Sequence, residues 1–213
     1  GLGDVYKRQE ILSKTSLNGD SGNKFKIESK TKVNYIKLQI FPDGGVARLR
    51  LFGEVKLNWD KYDNKNDLIE LSSLKLGGSI VAYNNAHYGD VSALLSHGRG
   101  KTMGDGWETR RRREPGNDWI IIKLATKGLI KKIEIDTAHF KGNYPDQASV
   151  QVSNFDKNKG LEEVINDSHN WKYILDKSKL EADNIHNYEV NDTSIKDVTH
   201  VRLNIYPDGG VSR

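Results

Sequence analysis

The sequence predicts an all-β protein of the sandwich or jelly-roll type that contains a tandem repeat. Three observations lead to this fold class: short runs of alternating apolar and polar residues, turn-forming residues between those runs, and one turn motif that occurs twice. Because successive side chains of a strand point to opposite faces, such alternation indicates strands with one buried face. Clusters of Gly, Asn, Asp and Pro separate the runs by roughly ten residues, which is typical of all-β sandwiches.

The strand signals differ in how many faces they are expected to bury. In residues 201–206, Val, Leu and Ile alternate with Arg, Asn and Tyr, which predicts a strand with one buried face. The unbroken apolar run at 119–124 predicts a strand that is covered on both faces. Further short signals occur at 49–51, 130–136 and 150–152 for strands. Residues 90–95 and 161–165 could each form one or two helical turns.

A long segment of the chain occurs twice. Residues 35–48 return as residues 200–213, an offset of 165 positions. Identical residues recur at eight positions of the first copy: Leu38, Ile40, Pro42, Asp43, Gly44, Gly45, Val46 and Arg48. Similarity of this length and order indicates a duplicated structural unit.

The repeat suggests how the chain is divided. We expect residues 10–53 to be the C-terminal part of a first repeat and residues 68–213 to be a second repeat that lacks its last strand. Residues 54–67, rich in Lys, Asn and Asp, are expected to be the linker. Residues 1–9 fall outside the similarity and are interpreted as a non-native N-terminal scar. The tandem repeat is therefore expected to be truncated at both ends.

The repeated turn has the sequence PDGGV. Proline presets φ for the first turn position, the aspartate can bond the following amides, and the glycines permit positive φ. Turn chemistry alone favours a hairpin turn with no further role. The alternative is that Asp43 and Asp208 point at a ligand.

Composition excludes several function classes. Lys and Arg total 33 against 29 Asp and Glu, and acidic residues are interleaved along the chain, so a nucleic-acid partner is not expected. The absence of cysteine excludes a disulfide framework, a zinc knuckle and a thiolate nucleophile. No run approaches the ~20 apolar residues of a membrane span, so no membrane partner is expected.

Two long motifs carry a resemblance to a known family. Residues 98–119 read GRGKTMGDGWETRRRREPGNDW, and residues 135–146 read IDTAHFKGNYPD. With the LNIYPDGGV turn and the tandem duplication, these segments resemble the allantoicase family over essentially all of residues 10–213. The resemblance implies two jelly-roll repeats of the galactose-binding-like type, assembly into a homo-oligomer, and an intracellular location that is cytoplasmic or peroxisomal. It also implies hydrolysis of allantoate to ureidoglycolate and urea, in purine degradation.

The chemistry of allantoate suggests candidate site residues. Its carboxylate suits a guanidinium fork, which Arg110 or Arg111 could supply. Its ureido N–H groups need acceptors, and cleavage of its C–N bond needs a base and a proton donor. The expected catalytic residues are Asp105, Glu108, Asp136 and His139, and the expected substrate-binding residues are Arg110, Arg111, Asp146 and Asp208.

Each candidate also has a structural interpretation. Some of the four arginines at 110–113 must be solvated or paired with a neighbouring glutamate. His139 could be a satisfied structural histidine. Asp136 could simply end a strand. No cofactor is expected; Asp and His could hold a divalent metal, but HxH and HExxH spacings are absent, so that signal is weak.

Two other functions compete with hydrolysis. A β-sandwich of this kind often serves as a non-catalytic carbohydrate-binding module, and fold alone does not fix function. The third hypothesis is a duplicated structural protein that catalyses no reaction. The dense charge between residues 105 and 114 favours a small charged substrate over a neutral sugar.

Overall fold

The structure is a computed structural model that describes residues 9–33, 35–56, 62, 68–155, 160–192 and 194–213. It divides into two compact units, Gly1–Phe52 and Gly53–Arg213, which are described separately. Most of residues 1–9 and of 54–67, the expected scar and linker, lie outside the described residues.

The second unit contains nine short strands and one α-helix within its described residues. The strands are β1 (Ser79–Tyr83), β2 (Trp107–Glu108), β3 (Asp118–Gly128), β4 (Lys132–Asp136), β5 (Gln147–Ser153), β6 (Lys172–Lys179), β7 (Ile185–Glu189), β8 (Val198–Tyr206) and β9 (Gly210–Val211). The helix α1 spans Leu161–Asp167, and 3₁₀ helices span Leu74–Leu76, Val91–Leu95 and Ser168–Asn170. The helical turns expected near residues 90 and 161 are therefore confirmed.

The strands form one large sheet and two ribbons. The five-stranded sheet has the order β1-β3-β8-β5-β6, and the ribbons are β2-β9 and β4-β7. Every pair is antiparallel. One core unites Ile120, Val150 and Leu203 of the large sheet with Trp107 and Val211 of the β2-β9 ribbon. The large sheet thus packs against the ribbons, and the predicted all-β sandwich is confirmed.

Strand β3 matches its prediction, because Ile120, Ile121 and Ile122 are all buried. Strand β8 does not, since Arg202 and Asn204 are buried although the alternation predicted them to face solvent. The second face of the sheet is covered by a smaller cluster of apolar side chains near α1. Arg202 satisfies its donors there by bonding Asn204 Oδ1 and Ser168 Oγ.

The first unit lacks the predicted strand at 49–51. Its described residues, 9–33 and 35–52, form no helix or strand, and Leu49 and Leu51 are exposed. A strand needs a partner for its backbone groups, and no described segment of this unit supplies one. The turn nevertheless has the same glycine geometry in both copies, with φ of 134° at Gly44 and 139° at Gly209.

The second PDGGV turn is not a hairpin. It joins β8 of the large sheet to β9, and β9 pairs with β2 instead of β8. The turn therefore carries the chain from one layer of the sandwich to the other. Among the described residues, no helix is long and apolar enough to cross a membrane.

Candidate functional site

Three separated segments of the chain meet at the β2-β9 ribbon. Glu108 pairs with Gly210 on one side and with Tyr88 on the other. The backbone amide of Gly210 also donates to the carbonyl of Asn143, at 2.8 Å. The ribbon thereby joins the 98–119 motif, the 135–146 motif and the end of the PDGGV turn.

The two glycines of the turn make this junction possible. A Cβ on Gly209 would lie 2.7 Å from the carbonyl oxygen of Asn143. A Cβ on Gly210 would lie 2.0 Å from the ring of Phe140, which is fully buried. Because neither glycine has a side chain, residues 140–145 pack directly on the turn. The PDGGV sequence is thus explained by close packing as well as by turn conformation.

Glu108 stands out among the expected bases because a neutral amide, and not an arginine, holds its carboxylate. Its Oε1 accepts a hydrogen bond from Asn143 Nδ2 at 2.6 Å. Across the described part of the chain, no ion pair includes Glu108. Its side chain is half-buried between the buried Trp107 and Thr109. The carboxylate is therefore oriented but not neutralised.

The arginines at 110–113 have different surroundings. Arg112 is half-buried and donates through Nη1 to the buried Asp118 at 2.9 Å. Its backbone amide donates to Asp208 Oδ2 at 2.8 Å. The side chains of Arg110 and Arg111 are exposed, and the Arg110 amide is held by Asn85 Oδ1 at 3.0 Å. Arg112 is therefore a structural residue, whereas Arg110 and Arg111 face solvent.

A second cluster surrounds Asp136 at the end of β4. Asp136 is 1% exposed and accepts from Arg99 Nε at 3.2 Å and from Arg99 Nη2 at 3.3 Å. The amide of Ala138 also donates to Asp136 Oδ1, at 2.8 Å. The Arg99 side chain itself is 56% exposed. The buried carboxylate thus fixes one edge of a guanidinium whose other edge faces outward.

The same cluster ties down the loop that follows Arg99. Arg213 Nη2 pairs with Asp105 Oδ2 at 3.1 Å, and Arg213 Nε donates to the carbonyl of Gly98 at 2.8 Å. The backbone amide of Lys101 and the Arg213 guanidinium lower the pKa of Asp105 below its usual value. Asp105 therefore remains ionised at neutral pH.

His139 is held at both its backbone and its ring. Its Nε2 lies 2.8 Å from the carbonyl oxygen of Gly100. A carbonyl can only accept, so Nε2 carries the proton of this hydrogen bond and Nδ1 takes no part in it. Its backbone has a φ of 71°, and its amide donates to Asp183 Oδ1 at 2.7 Å. That hydrogen bond is the main cause that lowers the pKa of Asp183.

The structure gathers the expected site residues into two groups. Asp105, Asp136 and His139 surround the loop that starts at Gly98. Glu108 and Asp208 lie at the β2-β9 ribbon, joined to it by Asn143 and Arg112.

Three expected residues join neither group through a hydrogen bond or an ion pair within the described residues. Arg110 is exposed, and its backbone amide bonds Asn85. Asp146 is exposed and pairs with Lys179 of β6. The side chain of Arg111 makes no hydrogen bond or ion pair within the described residues. Within the same part of the chain, no three His, Cys, Asp or Glu side chains are close enough to hold a metal ion.

Several residues that shape these groups were not singled out from the sequence. They are Arg99, Asn143, Asp118 and Arg213. Arg99 and Asn143 do lie inside the two long motifs, so their position was a usable signal. Arg213 lies beside the PDGGV turn. No local sequence pattern predicts its pairing with Asp105, which lies 108 residues earlier.

Comparison with known proteins agrees with this geometry. Residues 4–56 and 69–213 match the family model described as the allantoicase repeat. The chain belongs to the allantoicase family. It is 45% identical over 210 residues to a probable allantoicase of Burkholderia mallei, which covers 99% of this chain and 62% of that relative. It is 48% identical over 210 residues to a probable allantoicase of Rhizobium meliloti, covering 96% of this chain and 60% of the relative.

A solved allantoicase has the same fold. The crystal structure of allantoicase from Saccharomyces cerevisiae matches with a TM-score of 0.59 at 38% identity, covering 68% of this chain and 41% of that one. The family resemblance inferred from the two motifs is thus confirmed. The chain spans 62% of the length of the Burkholderia relative. Both groups of site residues fall inside the second matched allantoicase segment.

Proposed function

We propose that the protein hydrolyses allantoate to ureidoglycolate and urea. One observation carries the proposal: the three segments that resemble allantoicase, far apart in sequence, meet around Glu108. Asn143 orients this carboxylate, and no ion pair of the described residues neutralises it. A role toward a ligand accounts for it.

The reaction needs three kinds of group. Allantoate carries a carboxylate and two ureido groups on one carbon, and hydrolysis breaks one C–N bond at that carbon. Water supplies the hydroxyl of ureidoglycolate, and the departing urea nitrogen takes a proton. A base is required to activate the water or an N–H of the remaining ureido group, and a cation is required for the carboxylate.

Glu108 is the base in this proposal. Asn143 bonds one of its oxygens at 2.6 Å, which leaves the other oxygen for the substrate. No cation of the described chain lies in an ion pair with it, so its lone pairs are not consumed. Asp105 and Asp136 are each paired with an arginine and are less suited to accept a proton.

Arg110 is the substrate-carboxylate anchor in this proposal. Burial alternates from Trp107 to Arg110, so the side chains of Glu108 and Arg110 both leave the buried side of the ribbon. Asn85 fixes the Arg110 backbone, while its guanidinium is exposed. Arg111 is exposed and lies beyond this alternation, and it is given no role in binding.

The remaining expected residues act on the geometry of the site. We assign Asp136 and Asp105 to holding the 98–105 loop through Arg99 and Arg213. Asp208 holds the backbone of Arg112, two residues after the anchoring Arg110. His139 is retained as a proton carrier for the departing urea: Nδ1 takes up a proton and passes it on, while Nε2 stays bonded to the Gly100 carbonyl. Asp146, exposed and paired with Lys179, is left without a role.

The organisation of the whole protein is also proposed. Residues 10–53 and 68–213 are taken as parts of two copies of one repeat, which the similar φ values of Gly44 and Gly209 support. Assembly into a homo-oligomer and a cytoplasmic or peroxisomal location follow from the resemblance alone. Light scattering of the intact protein tests the first, and imaging of the tagged protein tests the second.

The activity itself is tested by product analysis. Intact protein is incubated with allantoate, and urea and ureidoglycolate are followed by carbon NMR. Equal amounts of both products are expected. A folded protein that leaves allantoate unchanged would remove the proposal.

A further inference from the structure

We propose that Tyr88 is a substrate-binding residue whose ring holds one planar ureido group beside Glu108. The inference rests on the proposed function, because it names what the site recognises. Tyr88 was not among the residues expected from the sequence, and it lies outside both long motifs. The proposal depends on strand pairing, exposure and a neighbouring ring.

Strand pairing places Tyr88 directly beside the base. Tyr88 and Glu108 form an antiparallel bridge. Residues that face each other in such a bridge project their side chains to the same side, with Cβ atoms about 5 Å apart. On its other side Glu108 faces Gly210, which has no side chain. The ring of Tyr88 is therefore the side chain that borders Glu108 along the ladder.

The Tyr88 ring is both exposed and held in orientation. It is 59% exposed, although it adjoins a buried ribbon. The ring of His87 lies 4.2 Å from it, centre to centre, at an interplanar angle of 72°. The amide of His87 donates to the carbonyl of Glu108 at 2.8 Å, which ties the backbone of this segment to β2. An edge contact of this kind restricts the ring while leaving a face open to a ligand.

A ureido group matches this arrangement. It is flat and delocalised, and planar groups of this type stack on aromatic faces, as guanidinium groups do. Stacking leaves the N–H bonds in the plane of the group, directed past the edge of the ring. In this proposal the second oxygen of Glu108, the residue that faces Tyr88 in the bridge, accepts them. Arg110, which lies two residues after Glu108 and projects to the same side, would bind the carboxylate of the substrate.

The test replaces the ring and measures binding apart from turnover. Tyr88→Leu and Tyr88→Gln remove the aromatic face, and Tyr88→Phe keeps it. In the intact protein, the two removal variants are expected to raise KM for allantoate about tenfold, the loss of one stacking contact, with a smaller change in kcat. Tyr88→Phe is expected to recover most of the binding. Circular dichroism checks that each variant is folded.

Calorimetry with two unreactive probes gives a readout independent of catalysis. Ureidoacetate has one ureido plane and a carboxylate, and its Kd should rise about tenfold in Tyr88→Leu. Glycolate has the carboxylate without the plane, and its binding should not change. Tyr173→Leu is the matched control. Tyr173 is also an exposed tyrosine, and it lies on β6, an edge strand of the large sheet.

The outcomes separate this inference from the proposed function. An unchanged KM and an unchanged Kd for ureidoacetate in both removal variants would overturn the role of Tyr88. An equal loss in Tyr173→Leu would overturn it as well. A wild-type protein that binds ureidoacetate through Tyr88 but releases no urea supports the inference while refuting allantoate hydrolysis.

Discussion

Arg112 and Arg111 are adjacent in sequence but have opposite surroundings. Arg112 neutralises the carboxylate of Asp118, whose side chain is almost fully buried. The other partner of Asp118 is the neutral amide of Asn84, at 2.9 Å. Asp118 therefore depends on Arg112 for charge compensation, because burying an unpaired carboxylate is costly. Arg111 is exposed and compensates no buried charge.

The first prediction compares these two arginines. Arg112→Ala should lower the free energy of unfolding by about 2–4 kcal/mol, because it leaves Asp118 buried and uncompensated. Arg111→Ala should change it by less than about 0.5 kcal/mol, as most exposed substitutions do. Urea denaturation of both variants provides the measurement. Equal stability of the two variants would show that the pair with Asp118 does not stabilise the fold.

The sequence could not distinguish these arginines. The run at 110–113 predicted that some members are solvated or paired and that others bind substrate. Which member is paired depends on Asp118 and on Asp208, and the latter lies 96 residues away. A local pattern contains no record of such a contact. The motif indicated the region of the site, and the fold was needed to assign each side chain.

Among the structural elements, the PDGGV turn has a role that its local sequence does not indicate. Its glycines predicted a turn, and the positive φ of Gly209 agrees with that. The hairpin expected from turn chemistry is absent because β9 has a better partner in β2, in the other layer. Gly210 is required by the ring of Phe140. The second glycine is thus explained by packing that only the tertiary structure shows.

The second prediction concerns Gly210. Gly210→Ala should destabilise the protein by at least about 2 kcal/mol, because its methyl group would overlap the buried ring of Phe140. Gly142→Ala is the matched control, since a Cβ there meets no atom within 4 Å. Thermal unfolding of both variants compares the two positions. A Gly210→Ala protein as stable as the control would contradict the packing described.

The third prediction concerns His200 on β8 and the pH dependence of stability. Burial lowers the pKa of His200 below its usual 6.5, and the pKa of His169 is lowered for the same first reason. Below about pH 6.5 the unfolded chain binds protons that the folded chain refuses, so stability falls with falling pH until the folded pKa is passed. His200→Gln should reduce this loss between pH 7 and pH 5.

Urea unfolding at several pH values measures that slope. Each histidine that titrates only when unfolded contributes up to about 1.4 kcal/mol per pH unit. Equal slopes in wild-type protein and His200→Gln would rule out the contribution of His200.

At the scale of the whole molecule, the two units differ in secondary structure: the second contains strands and helices, and the described residues of the first contain neither. The sandwich of the second unit could be predicted from alternating runs, because its strands find partners within the same unit. The alternating residues at 49–51 form no strand, because no described segment of the first unit pairs with them. A sequence pattern does not show whether such a partner is present. Family membership was predictable because the two long motifs and the duplication agree with one another.

The fourth prediction tests this difference by amide hydrogen exchange on the 213-residue chain. Amides at 35–52 should exchange at nearly unprotected rates, because they have no ladder of hydrogen bonds within the described residues. Amides of β3 and β8, paired at the centre of the large sheet, should be the slowest to exchange. Protection at 35–52 equal to that of β8 would contradict the description of the first unit.

The central claim is that Glu108, oriented at the junction of three segments, is the base of an allantoate-hydrolysing site. The most direct measurement is the rate of urea release from saturating allantoate by intact wild-type protein and by Glu108→Gln, with Glu162→Gln on α1 as the exposed control. We predict urea release by the wild type and the control, and a rate at least about a hundredfold lower in Glu108→Gln. A folded Glu108→Gln protein that releases urea at the wild-type rate would contradict the claim.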